Sequence, residues 1–220
     1  EARGAILCDA GASPQVEQDW FAPDYWRERD ALRVQPGGRG GVAIIETPLG
    51  ECVLRHYRRG GLVKALLGDR YLWTGANRSR PFMEFRLLAE ITRLGLPGPL
   101  AVAARYRRQG LFYRADLITR RIADAQTLAD CLAMGRLDGE LAGNVGAVIG
   151  RFHGAGIWHA DLNAHNVLVS RRGLHLIDFD RGRQRKPAAA WQRANLQRLR
   201  RSLLKLGAAR DGEPAFESGI

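Results

Sequence analysis

Lysine is nearly missing from this 220-residue chain: it occurs only at positions 64, 186 and 205, although lysine and arginine together number 34. Acidic residues number 23, so the formal charge is +11 and almost all of the excess is guanidinium. Arginine offers a planar fork suited to phosphate and carboxylate, which points to an anionic partner such as a phosphate-bearing ligand, an anionic membrane face or nucleic acid. Charge alone does not choose among these, and a G/C-rich genome produces the same bias. Cysteine is scarce as well. Cys8, Cys52 and Cys131 lie far apart, with no CxxC pair and no metal spacing, so they read as reduced, structural thiols in a reducing compartment. No apolar run reaches the roughly 20 residues needed to cross a bilayer, and any membrane contact is expected to be peripheral. The opening segment is too short and too acidic for a signal peptide, and a start at Glu1 suggests an incomplete or processed N-terminus. There is no internal repeat, and a hydrophobic fraction of 45% fits a globular chain rather than a disordered one.

What is present is a change of hydrophobic period partway along the chain. Four glycines in the five positions from Gly37 to Gly41 precede "VAIIETPLGECVLRHY", which reads as strand, turn, strand with the second turn at Thr47–Gly50. In "PFMEFRLLAEITRLG", Phe85, Leu88, Ile91 and Leu94 recur at three-residue steps, predicting a helix begun at Pro81 and ended by Gly95 and Pro97. "LAVAARYR" and "LFYRADLITRRI" predict a hairpin turning near Gln109 and Gly110. After Ile122 the pattern becomes helical, with a short helix in "AQTLADCLA" and a longer one through Leu141, Val145, Ile149 and Phe152. A polar loop "HADLNAHN" follows, then a hairpin turning at Arg172 and Gly173. The last helix has Leu196, Leu199, Leu203 and Leu206 inward and its arginines, Arg198 among them, largely outward. The expected fold is α+β and bilobal, with a β-rich lobe over residues 1–122 and an α-rich lobe over 123–220.

Two polar breaks between apolar runs carry the chemistry. Asp161 and Asn166 lie in the loop, and Asp178 follows the hairpin's second strand, so short-range geometry can bring all three to one cleft. Two carboxylates beside an amide supply hard oxygen ligands for Mg²⁺ and a proton acceptor for a hydroxyl, the equipment of phosphoryl transfer. The order His159, Asp161, Asn166, then Asp178 and Phe179, resembles the catalytic loop and metal motif of protein-kinase-like phosphotransferases. By that resemblance Asp161 is the catalytic base, Asn166 and Asp178 hold Mg²⁺, and His159 buttresses the loop. Gly37, Gly38, Gly40 and Gly41 would bring backbone N–H groups to the ATP phosphates, with Arg39 beside them, although no strict GxGxxG is present. Where kinases carry a lysine on the third strand, "CVLRHY" has Arg55; Glu84 is its expected partner, and Lys64 is an alternative cation. Asp180 replaces the glycine that usually follows Asp-Phe, and is a candidate for supporting the metal, pairing with Arg181 or Arg183, or orienting substrate. His165, beside Asn166, is a candidate substrate contact.

The blocks "VLRHYRRGGLV", "DRYLWTG", "EFRLLAE", "FYRADLITRRI", "HADLNAHNVL" and "LIDFDRGR" further resemble the 3-deoxy-D-manno-octulosonic acid (Kdo) kinases of Gram-negative bacteria, over roughly residues 35 to 206. The resemblance implies ATP- and Mg²⁺-dependent phosphorylation of the Kdo sugar, at its 4-hydroxyl, on a lipid A precursor at the cytoplasmic face of the inner membrane. It implies a lipid-linked acceptor and peripheral contact with an anionic membrane surface, with Tyr71 and Trp73 at interface-like spacing or in the core of the small lobe. The arginines of "RHYRRGG" and "DRYLWTGANRSR" are candidates to receive the acceptor's anions. A nucleic-acid partner is not expected, since the arginines match no recognised binding motif. Rival readings are a phosphotransferase for soluble alcohols of the aminoglycoside or choline type, and an inactive kinase-like binding module.

Overall fold

The structure is a computed structural model that describes residues 3–12, 15–34, 42–58 and 68–207. The chain forms two compact units, Glu1–Arg86 with Leu100–Arg121 and Leu87–Pro99 with Ile122–Ile220. The glycine cluster at 37, 38, 40 and 41, with Arg39, and the alternative cation Lys64 lie outside the described residues.

The first unit is built on a seven-stranded antiparallel sheet: β1 (Arg3–Cys8), β2 (Leu32–Val34), β3 (Val42–Thr47), β4 (Gly50–His56), β5 (Tyr71–Leu72), β6 (Ala101–Gln109) and β7 (Phe112–Arg120). The order is β1-β6-β7-β4-β3-β2, with β5 on the far end of β7. The β3–β4 turn is set by Thr47, whose hydroxyl accepts from the Leu49 N–H at 3.1 Å and donates to the Gly50 carbonyl at 2.8 Å. Inward-facing Ile45, Cys52, Leu54, Ala103 and Ile118 meet Trp20, Phe21 and Trp26 from the segment between β1 and β2. That segment includes helix α1 (Pro23–Arg27), and the Trp26 indole donates to the Trp20 carbonyl at 2.7 Å, so its polar edge is satisfied inside the core. Each of these large side chains contributes about 1.5–3 kcal/mol by leaving water.

Helix α2 (Arg80–Arg93) has the predicted apolar stripe, with Phe85, Leu88 and Ile91 buried, and ends where the Gly95 and Leu96 N–H groups return to Thr92 and Ile91. Tyr71 belongs to the core of the first unit rather than to its surface.

In the second unit a capping box between Thr127 and Asp130 starts α3 (Leu128–Ala133), and the Asp138 carboxylate caps α4 (Gly139–Gly154) through the Leu141 N–H at 2.8 Å. Strand β8 (Gln126–Thr127), the hairpin β10 (Val167–Ser170) and β11 (Gly173–Leu176) make one small sheet. Strands β9 (Ile157–Trp158) and β12 (Arg183–Gln184) make another, pairing Arg183 with Trp158. Helix α5 (Ala189–Lys205) buries Leu196, Leu199 and Leu203. At the centre Phe152 of α4 stacks on Phe179 at 5.6 Å, and both are almost wholly buried.

Candidate active site

In the second unit the catalytic-loop residues are tied together mostly through the backbone. The His159 ring is buried, and burial lowers its pKa, opposed chiefly by its hydrogen bond to the Ile177 carbonyl. A neutral imidazole has one donor and one acceptor nitrogen, and both are used. Nδ1 accepts from the Asp161 N–H at 3.1 Å, which leaves Nε2–H to donate to the Ile177 carbonyl at 2.9 Å. His159 therefore joins Asp161, the expected base, to Ile177, the residue before Asp178. The Ile177 N–H in turn donates to the Asn166 carbonyl at 3.0 Å, and the Asn166 amide nitrogen donates to the Asp161 carbonyl at 2.9 Å. Asp161, Asn166 and the entry to Asp178 are thus held by one closed set of hydrogen bonds.

The side chains left over suit the roles expected of them. The Asn166 amide nitrogen is committed to the loop, so its oxygen is the end left to serve as a hard ligand. Asp178 is partly buried with φ +61°, a left-handed conformation that an aspartate tolerates better than a bulky residue and that sets its carboxylate off the strand direction. One amide oxygen and one carboxylate are a donor set for Mg²⁺, which keeps several waters or phosphate oxygens, and not for zinc. Among the described residues no cluster of three or more His, Cys, Asp or Glu forms a complete cage, as a site finished by phosphate would not require. Asp161 differs from its neighbours in exposure: its side chain is 57% accessible. Its carboxylate meets Asn163 Nδ2 at 3.2 Å and the Arg198 guanidinium at 3.2 Å.

Two supports came from α5 and were not expected. Asn195, buried, receives the His159 N–H at 3.3 Å and donates to the His159 carbonyl at 2.9 Å, clamping the loop's first residue. Arg198 is exposed, as expected for the outer side of the helix, and its guanidinium meets Asp161 there. The local pattern of α5 showed which residues face the core, but not which loop lies over the polar ones. His165 is exposed in the short turn Ala164–Asn166, and Asp180 is half-buried in the turn that follows Phe179.

In the first unit Arg55 on β4 forms an ion pair with Glu84 on α2, the partner expected from the sequence. Glu84 is almost fully buried, at 3% exposure. A third member went unforeseen: the Tyr57 hydroxyl donates to Glu84 at 2.5 Å, accepts from Arg55 at 3.3 Å, and its ring lies under the guanidinium at 4.8 Å. Burial, and then the Glu84 charge, push the Tyr57 hydroxyl well above its ordinary pKa, so it remains a donor. The i, i+2 spacing of Arg55 and Tyr57 on one strand face was the available signal.

A sequence model of the lipopolysaccharide kinase (Kdo/WaaP) family matches residues 23–218. Curated relatives named 3-deoxy-D-manno-octulosonic acid kinase include one from Stenotrophomonas maltophilia (strain R551-3), 49% identical over 96% of this chain and 84% of its own length. Another, from Xylella fastidiosa (strain M12), is 45% identical over 97% of this chain and 85% of its own. Among solved structures, WaaP in complex with acyl carrier protein superposes with a TM-score of 0.58 at 18% identity, over 99% of this chain and 88% of that one. That likeness shows the protein-kinase-like α+β fold.

Proposed function

The chain belongs to the lipopolysaccharide kinase (Kdo/WaaP) family, and from that membership we propose that it transfers the γ-phosphoryl group of ATP to the 4-hydroxyl of a Kdo sugar carried on a lipid A precursor. The observation that carries the reading is the pairing of an exposed Asp161 side chain with an Asp161 backbone fixed by neutral His159 and by Asn166. Such a carboxylate is fixed in place yet open to an acceptor. Asp161 takes the proton of the sugar hydroxyl as that oxygen bonds to the γ-phosphorus and the bond to the ADP oxygen breaks. Asn166 and Asp178 are the residues to hold Mg²⁺, which when bound neutralises charge on the phosphate oxygens. Arg55, fixed by Glu84 and Tyr57, is the cation for the α and β phosphates in the place of the usual lysine. Positioning and charge neutralisation supply the acceleration, with no covalent enzyme intermediate.

The same reading includes peripheral contact with an anionic membrane. No described helix is long and apolar enough to cross a bilayer. In the first unit Leu72, 58% exposed, pairs with Phe112, and Leu111, 71% exposed, accepts from the Trp73 N–H at 2.8 Å, so both leucines lie where β5 meets the start of β7. Arg108 lies over the Trp73 ring at 5.2 Å, so apolar tips and cations share one edge, as an anionic leaflet requires.

One experiment tests both parts. The protein is incubated with ATP, Mg²⁺ and a Kdo-bearing lipid A precursor in anionic vesicles, the vesicles are sedimented, and the lipid is weighed by mass spectrometry. The expected outcome is one added phosphate and co-sedimentation that weakens in Leu72→Ser/Leu111→Ser. An unchanged lipid mass, or faster turnover of a soluble alcohol such as an aminoglycoside or choline, would overturn the assignment of substrate.

A further inference from the structure

A pocket of about 390 Å³ opens in the second unit beside the base, and its charge is lopsided. Asp161 is its one carboxylate, and Arg181, Arg183, Arg185 and Arg198 all line it, with Trp158 in the wall. Only Arg198 has a carboxylate partner there; Arg181, Arg183 and Arg185 form no ion pair among the described residues. Four guanidiniums around one carboxylate repel one another, and a second anion from a ligand would relieve that repulsion.

The backbone shows that the cluster is built rather than accidental. The Gly182 N–H closes a turn onto the Phe179 carbonyl at 2.8 Å, with Arg181 at φ +60°. A Cβ at Gly182 would sit 2.8 Å from Leu87 and 2.9 Å from that same carbonyl, so only glycine fits between the two arginines. The chain then pairs Arg183 with Trp158, and strand alternation returns Arg185 to the same side, where its guanidinium lies 4.2 Å over the Trp158 ring. At Gly156, φ +75°, a Cβ would come 2.2 Å from the Arg185 carbonyl, which accounts for the close approach of these two strands. The segment after Asp178 thus delivers three cations to one wall, and α5 delivers the fourth.

We infer that Arg181, Arg183, Arg185 and Arg198 bind the carboxylate of the acceptor sugar, holding the acid sugar so that its hydroxyl meets Asp161. This rests on the function proposed above. A hydroxyl that gives its proton to Asp161 lies within about 3 Å of that carboxylate. A pocket of this size shared with Asp161 then places the anion within the span of the same sugar residue, which excludes a phosphate on a distant part of the lipid. Arginine forks match a carboxylate through paired N–H donors, and Trp158 gives the ring an apolar face. The arginines near residues 55–60 and 70–80, the candidates offered by sequence, are not needed for this role.

The test is steady-state kinetics with the lipid-linked Kdo acceptor, for the wild type, Arg181→Gln, Arg183→Gln and a control, Arg193→Gln, which removes an equal charge from an exposed position of α5 outside the pocket. Loss of a charge-assisted hydrogen bond predicts a rise in acceptor KM of about tenfold or more for Arg181→Gln and Arg183→Gln, with the KM for ATP within twofold and the control near wild type. A second arm needs no variant. Methyl esterification of the sugar carboxylate should raise the wild-type KM by at least as large a factor and raise it less in the two pocket variants, which have already lost one of the four contacts, whereas removal of the lipid A phosphates should leave it unchanged. Unaltered acceptor KM in active variants, equal loss in the control, or sensitivity to the phosphates and not to the ester would overturn the carboxylate assignment alone. A wild type that phosphorylates no Kdo acceptor would overturn the proposed function, and this assignment with it.

Discussion

Two of the molecule's arginine–carboxylate pairs have the same chemistry in opposite surroundings. Arg55 and Glu84, in the first unit, have side chains 20% and 2% exposed; Arg198 and Asp161, in the second, are 47% and 57% exposed. A buried pair repays its desolvation only when both partners stay, so it is a fixed structural device. An exposed pair contributes little to stability and exchanges readily with water or ligand. Under the proposed function the first pair holds a cation still and the second serves the chemistry, with Asp161 trading its contact with Arg198 for a substrate proton.

The largest effect that tests this contrast is on turnover. Asp161→Asn keeps size and shape but cannot accept the proton, and should lower kcat on the Kdo lipid by about 10³-fold or more. Because its ion pair is exposed, thermal unfolding should shift by no more than a degree or two. A variant that keeps most of its turnover would remove Asp161 from the role of base. One that melted far earlier would show the exposed pair to be structural after all.

The converse change is Glu84→Ala. It leaves Arg55 beside a vacated, buried position and deprives the Tyr57 hydroxyl of its acceptor, so unfolding free energy should fall by about 3 kcal/mol in a denaturant titration. Tyr57→Phe, which removes one hydrogen bond and keeps the pair, should cost about 1 kcal/mol. Equal stability of Glu84→Ala and Asp161→Asn would erase the distinction drawn between the two pairs.

How far these pairs were legible in the sequence differs in the same way. Arg55 and Glu84 were readable because each sits in a strongly patterned element, β4 by alternation and α2 by its three-residue apolar steps between Pro81 and Gly95. Asp161, Asn166 and Asp178 stood out as candidates because they are polar residues in short breaks between the apolar runs of β9, β10 and β11. Arg198 was read as an outward residue, since a helical period tells inward from outward and is silent on which loop crosses the outward face. Asn195 was hidden for the same reason. Strand β1 and the buried Trp20 and Trp26 were missed because their partners, β6 and the sheet's inner face, lie far along the chain. Long-range pairing leaves no local period to read.

The smallest effect concerns a third charged group, His56, one residue along β4 from Arg55, and it sharpens the contrast by showing burial and charge in balance. Its Nδ1 meets Asp116 at 2.7 Å and its Nε2 meets Asp69 at 2.9 Å. The Asp116 hydrogen bond raises its pKa above the ordinary value, burial opposes this, and the Asp116 charge and Asp69 add to the rise. Arg105 Nε, 3.0 Å from Asp116, and Arg114, 2.9 Å from Asp69, face the same carboxylates from β6 and β7. A folded pKa above the unfolded value means that the charged imidazole stabilises the fold fully below about pH 6.5 and that this share is lost as pH rises through the folded pKa. Melting of the wild type should therefore fall by a few degrees as pH is raised from 6 through the neutral range, relative to His56→Gln, in which that component is absent. Parallel melting curves for the two proteins across that range would mean that Arg105 and Arg114 alone neutralise the two aspartates, with the imidazole uncharged between them.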